Sequence, residues 1–445
     1  MKVVERLGRR KQEARAGLAL ARQKPLAAQG RAPLPDLAEL GAFAKEAAQR
    51  FRHCVVLGRE GLTAAALAGI AGKQEGGLDL RAVDATEPAA LEGFDPRETL
   101  FVVDAGALDR SRLPDGAQCV AIAGTRQEGS WRTFIEPAFA GVLGFTGFLP
   151  AALLGLDLAG LVAEAEQVTR ASALPLEENF PVRLGAIAAG LARGGADKLT
   201  LLPSPGLAPL SPWVADQIAR RTGGITPVVG EPPGKKDAYG LDRLFISVAL
   251  ESEAHDLTWL AEAGHPVLQW TLSSPAALFG ELVRWEIAAA TMGALLDVPP
   301  TEKPEAEAPS AEPSLRANGL ALFADPVQAQ ILRKAAGTLG AQAAASPASW
   351  IAAHLALADP GDCIVLQPRF LQTPHLQNEL RTLQGAIRNA TRLACTTGPA
   401  RGIVLELTVG SGAARRAGAL RIHSEEGDAE KIIEAIHAAV KLISR

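Results

Sequence analysis

No excess of either charge marks this 445-residue chain: 45 Lys and Arg stand against 49 Asp and Glu, a formal net charge of −4, with both signs mixed along its length. The even mixture excludes the electrostatic footprint expected for DNA, RNA or an anionic membrane. Long apolar runs are also missing. The stretch 149–162 is shorter than the roughly 20 residues a membrane span needs, and glycines interrupt it. The N-terminal MKVVERLGRRKQEARAGLALARQ lacks the apolar core of a signal peptide. Its charges recur every three or four residues, which predicts an exposed helix. Cysteine is scarce: Cys54, Cys119, Cys363 and Cys395 lie far apart, three of them inside apolar strand-like runs where a thiol behaves as a small hydrophobe. No CxxC pair and no histidine cluster at ligand spacing occurs, so a structural zinc site is set aside and no metal is expected. This usage fits a reducing, cytoplasmic setting.

What is present is apolar material, 48% of residues, enough to bury several sheets. The length favours two or three domains. The first part alternates β-branched runs with Ala/Leu-rich stretches, the pattern of parallel strands with crossover helices. Strands are predicted at 54–58, 78–83, 100–104 and 119–123, with a helix at 62–72. A second α/β series follows: helix 181–194, strand 198–202, helix 212–222, strands 225–229 and 244–250, helix 256–263, strand 266–272 and a long helix 275–296. The Pro/Glu/Ala-rich segment 299–316 reads as a linker, because it has too little apolar surface to repay the entropy of ordering. Beyond it, strands are predicted near 319–323, 363–367, 391–396 and 402–409, with an amphipathic helix at 428–443. The fold class is therefore α/β. The domains expected are 1–155 with its N-terminal helix, 156–298, the linker, and a C-terminal α/β region 317–445.

Chemistry is harder to place, and no complete catalytic site is recognisable. The strand–turn–helix VVLGREGLTAA at 55–65 offers a glycine-bearing turn at a helix N-terminus, where free N–H groups face an anion. Gly58, Arg59, Gly61 and Thr63 are its candidate phosphate ligands. It lacks the full GxGxxG spacing, Glu60 would repel an anion, and the plainer reading is a βα turn with Thr63 as a cap. The turn DAGALDRSR at 104–112, with two aspartates and one hydroxyl, reads as a structural loop. His255 and His265 bracket a helix, while His354, His375 and His437 fall within helical stretches, where a packed or solvated imidazole is the default. Glu281, Arg284 and Glu286 share one helix and read as a helix-surface ion pair.

Several stretches, in order, resemble the glucose-6-phosphate isomerase family, in particular the isomerase half of bacterial bifunctional transaldolase/glucose-6-phosphate isomerase proteins. They are GFLPAALLGLD (147–157), DKLTLLPSPGL (197–207), VVGEPPG (228–234), YGLDRLF (239–245), GHPV (264–267), ELVRWEIAAATMGALLDVPP (281–300), LALFADP (320–326) and the strand before TTG (396–398). The resemblance implies two sugar-isomerase (SIS) domains, each a parallel sheet flanked by helices, plus a C-terminal extension. It also implies conversion of glucose 6-phosphate to fructose 6-phosphate, in glycolysis and gluconeogenesis, through an enediol(ate) with a glutamate base and stabilising cations. No cofactor is implied.

The residues that would carry this reaction differ here. GREGLT at 58–63 stands for the family's glycine/serine loop, and DAGALD at 104–109 for its hydroxyl-lined phosphate loop. Val142 stands for an arginine, Arg220 for the glutamate base, and the histidine-bearing segment after TTG is reduced to a few residues. A guanidinium cannot abstract a proton at neutral pH. The resemblance therefore points to a divergent member with weak or no isomerase activity that binds a phosphorylated sugar, or a protein such as transaldolase, and forms a homodimer. Two alternatives stay open. One is an active isomerase with Arg59 and Arg126 for the phosphate and Glu231 as the base, both Arg126 and Glu231 following strands, where open α/β sheets bind ligands. The other is a non-catalytic scaffold or regulatory subunit.

Overall fold

The computed structural model describes residues 3–24, 34–58, 61–83, 94–104, 113–136, 141–297, 312–338, 345–370, 372–400, 402–409 and 419–444. The chain opens with β1 (Val3–Arg6), α1 (Lys11–Gln23) and α2 (Leu37–Arg50). Asp36 starts α2 by accepting N–H bonds from Ala38 and Glu39 at 2.9 and 3.1 Å, satisfying donors that a helix N-terminus leaves orphaned. The first sheet follows: β2 (His53–Leu57), α3 (Gly61–Ile70), β3 (Asp79–Val83), β4 (Thr99–Asp104), β5 (Gln118–Ala123) and β6 (Arg132–Ile135). Its order is β3-β2-β4-β5-β6 and every pairing is parallel. Parallel strands need cover on both faces, and β2 answers with four consecutive buried residues, Cys54 to Leu57.

After α4 (Phe145–Leu153) and α5 (Leu158–Ala171), the chain repeats this plan. It runs through α6 (Phe180–Arg193), β7 (Lys198–Leu201), α7 (Leu210–Arg221), β8 (Thr226–Val228), β9 (Arg243–Leu250), α8 (Thr258–Glu262), β10 (Val267–Leu272) and α9 (Leu278–Leu296). The second sheet has the order β1-β10-β9-β7-β8. In both sheets the first strand of the series, β2 or β7, lies between the second and the third. One continuous apolar core, from Ala14 to Leu296, runs through both units.

The N-terminal segment departs from the expectation of an exposed helix belonging to the first unit. Residues Val3–Arg6 form an antiparallel edge strand on β10 of the second sheet, Val3 opposite Trp270, and Glu5 accepts two bonds from Arg183 at 2.6 and 2.7 Å. Helix α1 then packs on α6. A Cβ on Gly17 would stand 2.0 Å from the Ala186 carbonyl oxygen, so only glycine permits this approach. The repeated charges of α1 conceal a narrow buried strip, Ala14, Gly17 and Leu18.

The third sheet is mixed. Its elements are β11 (Leu315–Ala317), β12 (Leu320–Phe323), α10 (Pro326–Gly337), α11 (Pro347–Leu355), β13 (Cys363–Arg369), α12 (Pro374–Thr391), β14 (Ala394–Thr396), β15 (Ile403–Val409), β16 (Leu420–Ser424) and α13 (Ala429–Ile443). The strand order is β11-β12-β16-β15-β13-β14, with a separate core from Leu320 to Val440. Of the expected linker, residues 299–311 lie outside the described residues. Leu315 and Arg316 are already strand, paired with β12 across a turn at Asn318 and Gly319, both with positive φ (55° and 74°). All four cysteines are buried, each within a strand. Among the described residues no helix is long and apolar enough to cross a membrane.

Candidate functional site

The connection order creates a switch point in each sheet. In each sheet the chain leaves the first strand in opposite directions for the second and the third, and such switch points at the carboxyl ends of strands are where open α/β sheets take ligands. In the first sheet the point lies between β2 and β4. Gly58 turns the chain there with φ 89°, and its carbonyl accepts the Gly61 N–H at 3.0 Å. A Cβ on Gly61 would meet Ala82 Cβ and the Val56 carbonyl oxygen, each at 3.2 Å. Both glycines thus have backbone reasons to be glycine. Arg59 and Glu60 lie outside the described residues, as do 105–112 of the loop after β4.

Thr63 does not cap α3; it is the third residue of the helix. Only 4% exposed, it accepts the Trp213 Nε1–H at 3.0 Å through Oγ1. Trp213 belongs to α7, so this hydroxyl joins the first unit to the second. Arg126, on the turn after β5, is exposed.

Helices α3 and α7 cross in opposite directions. Position 69 of α3 faces Pro209, where a Cβ on Gly69 would be 2.8 Å from the proline ring, whereas Thr63 faces Trp213. Both contacts lie on the N-terminal half of α7; its C-terminal half carries Asp216, Gln217, Arg220 and Arg221. Arg220, which the resemblance sets against a glutamate base, is paired with Asp216 on its own helix at 2.6 Å. Arg221 donates from Nε to Gln217 Oε1 at 3.3 Å and stands 3.8 Å from Glu286 Oε1. Burial lowers the pKa of Arg221, opposed by the Glu286 charge.

Glu286 in turn grips the first unit. Its Oε1 accepts the Val142 N–H at 3.1 Å, and Gly141, with φ 59°, leaves the carboxylate room that a Cβ would take, 2.5 Å from Oε1. The Val142 side chain is 2% exposed and packed in the shared core. An arginine at 142 would point into apolar surroundings rather than into the crevice. The expectation of a surface ion pair on α9 is corrected: Glu281 is fully buried, paired with Arg284 and accepting the Trp270 Nε1–H at 3.2 Å, and Glu286 is buried at the seam. Helical spacing alone could not reveal this, since both faces of α9 are covered.

Glu231, the substitute base, occupies a different place. It follows β8 where this edge strand meets β14, and it is 3% exposed. Arg243 Nη2 donates to its two oxygens at 3.3 and 3.1 Å, Arg388 Nη1 to Oε1 at 3.3 Å, and the Cys395 N–H to Oε2 at 3.0 Å. Thr396 Oγ1 accepts the Val229 N–H at 3.1 Å, and Gln384 Nε2 donates to the carbonyls of Val229 and Cys395, each at 2.9 Å. These side chains take up the backbone groups of two adjoining sheet edges. Both oxygens of this carboxylate are thus occupied by donors.

Two of the histidines are packed inside the fold. His354 is buried between Gln328 and the Val404 carbonyl at 3.3 and 3.0 Å, and burial lowers its pKa to about 4. His265 packs edge-on against Phe245 and Tyr239. Among the described residues no group of three His, Cys, Asp or Glu gathers to hold a metal ion.

No protein-family model matches the chain, and no curated protein matches it. Solved structures do. A hypothetical protein from Thermus thermophilus shares 20% identity over 66% of this chain and 88% of its own, with a TM-score of 0.50. A glucose-6-phosphate isomerase from Chlamydia trachomatis shares 14% over 64% and 75%, TM-score 0.47. A glucose-6-phosphate isomerase like protein, also from Thermus thermophilus, shares 18% over 64% and 90%, TM-score 0.39. At such identities a likeness carries the architecture alone: the chain has an α/β fold of parallel-containing sheets flanked by helices, and its structural neighbours include glucose-6-phosphate isomerase-like proteins.

Proposed function

We infer that this chain is a divergent member of the glucose-6-phosphate isomerase family that binds a phosphorylated sugar in the crevice between its first two sheets and has weak or no isomerase activity. The observation that carries this reading is the fate of the two positions where a base would be needed. Arg220 is tied to Asp216 at 2.6 Å, and Glu231 is enclosed by Arg243 and Arg388 at the far edge of the second sheet. Aldose–ketose isomerisation needs a group that takes a proton from one carbon and returns it to the next, and a cation to hold the enediolate oxygen. Val142 supplies no such cation, being buried. What supports retained binding is the switch-point geometry at Gly58 and Gly61. A transaldolase as protein partner and a homodimer belong to the same reading, by analogy with the family.

The test is a coupled dehydrogenase assay of the purified chain with fructose 6-phosphate. Since general acid–base catalysis is worth about 10²–10⁴ in rate, turnover more than about a hundredfold below that of ordinary isomerases is expected, and turnover within that range would overturn the reading. Thermal shift with sugar phosphates then separates a binding protein from a scaffold, because a ligand that binds only the native state raises Tm.

A further inference from the structure

We draw no further inference here: the strongest candidate, the cavity at the carboxyl end of β7 lined by Leu201, Pro203, Ser211, Ile246, Val248 and Trp285, whose buried indole N–H has no acceptor among the described residues, has a volume of only about 10 Å³, room for one water molecule and for no ligand.

Discussion

Glu231, on the loop after β8, and Arg388, on α12, meet at 3.3 Å with neither side chain reaching solvent. Together with Arg243 they hold the edge of the second sheet against the edge of the third. A buried ion pair is weak evidence for stability as such, but removing one partner strands the other charge without water or counter-ion. Glu231→Ala, which leaves two buried guanidinium groups facing each other, should therefore lower unfolding stability by about 3–5 kcal/mol. Chemical denaturation measures this; a loss below about 1 kcal/mol, the size of a surface pair, would mean that water reaches the junction.

An arginine at position 142 should not create an isomerase. The Val142 side chain is 2% exposed in the core shared by the first two units. Val142→Arg forces an unpaired cation into that core and should cost about 3 kcal/mol or more. Such a variant is expected to melt well below wild type with no gain in fructose 6-phosphate turnover. Unchanged melting together with new turnover would place this side chain in the crevice instead.

Gly141 and Glu286 are coupled by space. A Cβ at 141 would lie 2.5 Å from Glu286 Oε1, and φ at 141 is 59°. Gly141→Ala should destabilise by about 1–3 kcal/mol through strain and displacement of the carboxylate. In a double-mutant cycle with Glu286→Ala the two effects should fall short of additivity, because the alanine at 286 vacates the contested space. Strict additivity would show that the cost is backbone strain alone.

His354 makes the C-terminal unit sensitive to acid. Its pKa is lowered from the ordinary 6.5 to about 4 by burial, so the unfolded chain binds a proton between those values that the native chain refuses. Stability is then fully present above pH 6.5 and is lost as pH falls toward 4, with a total of about 3 kcal/mol at 1.36 kcal/mol for each pKa unit. His354→Gln should be less stable at neutral pH and show a flatter slope across this window. An unaltered slope would assign the acid sensitivity to other groups.

Strands were legible in the sequence wherever apolar residues ran unbroken. The predicted 54–58 and 119–123 correspond to His53–Leu57 and Gln118–Ala123. Two edge strands were not: β6 reads RTFI and β1 reads VVER, each with charge beside its apolar residues. Strand β16, LRIHS, was also missed, its Arg421 and His423 alternating with apolar neighbours. The turn at Gly58 and Gly61 was legible because a strand followed at once by a helix constrains it locally. The partners of Glu231 were not. Its partner Arg388 is 157 residues away, and Glu286 is 144 residues from Val142, separations at which only the packing of α9, α12 and β8 decides who meets whom.

The side-by-side arrangement of β8 and β14 has an evolutionary consequence. Thr396 and Gln384 come from the C-terminal unit and satisfy backbone groups of Val229 in the second, so each sheet carries part of the other's finish. The three units cannot be traded as independent cassettes. A lineage that dropped the last one would inherit a raw strand border, with Val228 and its amides ready to recruit another chain.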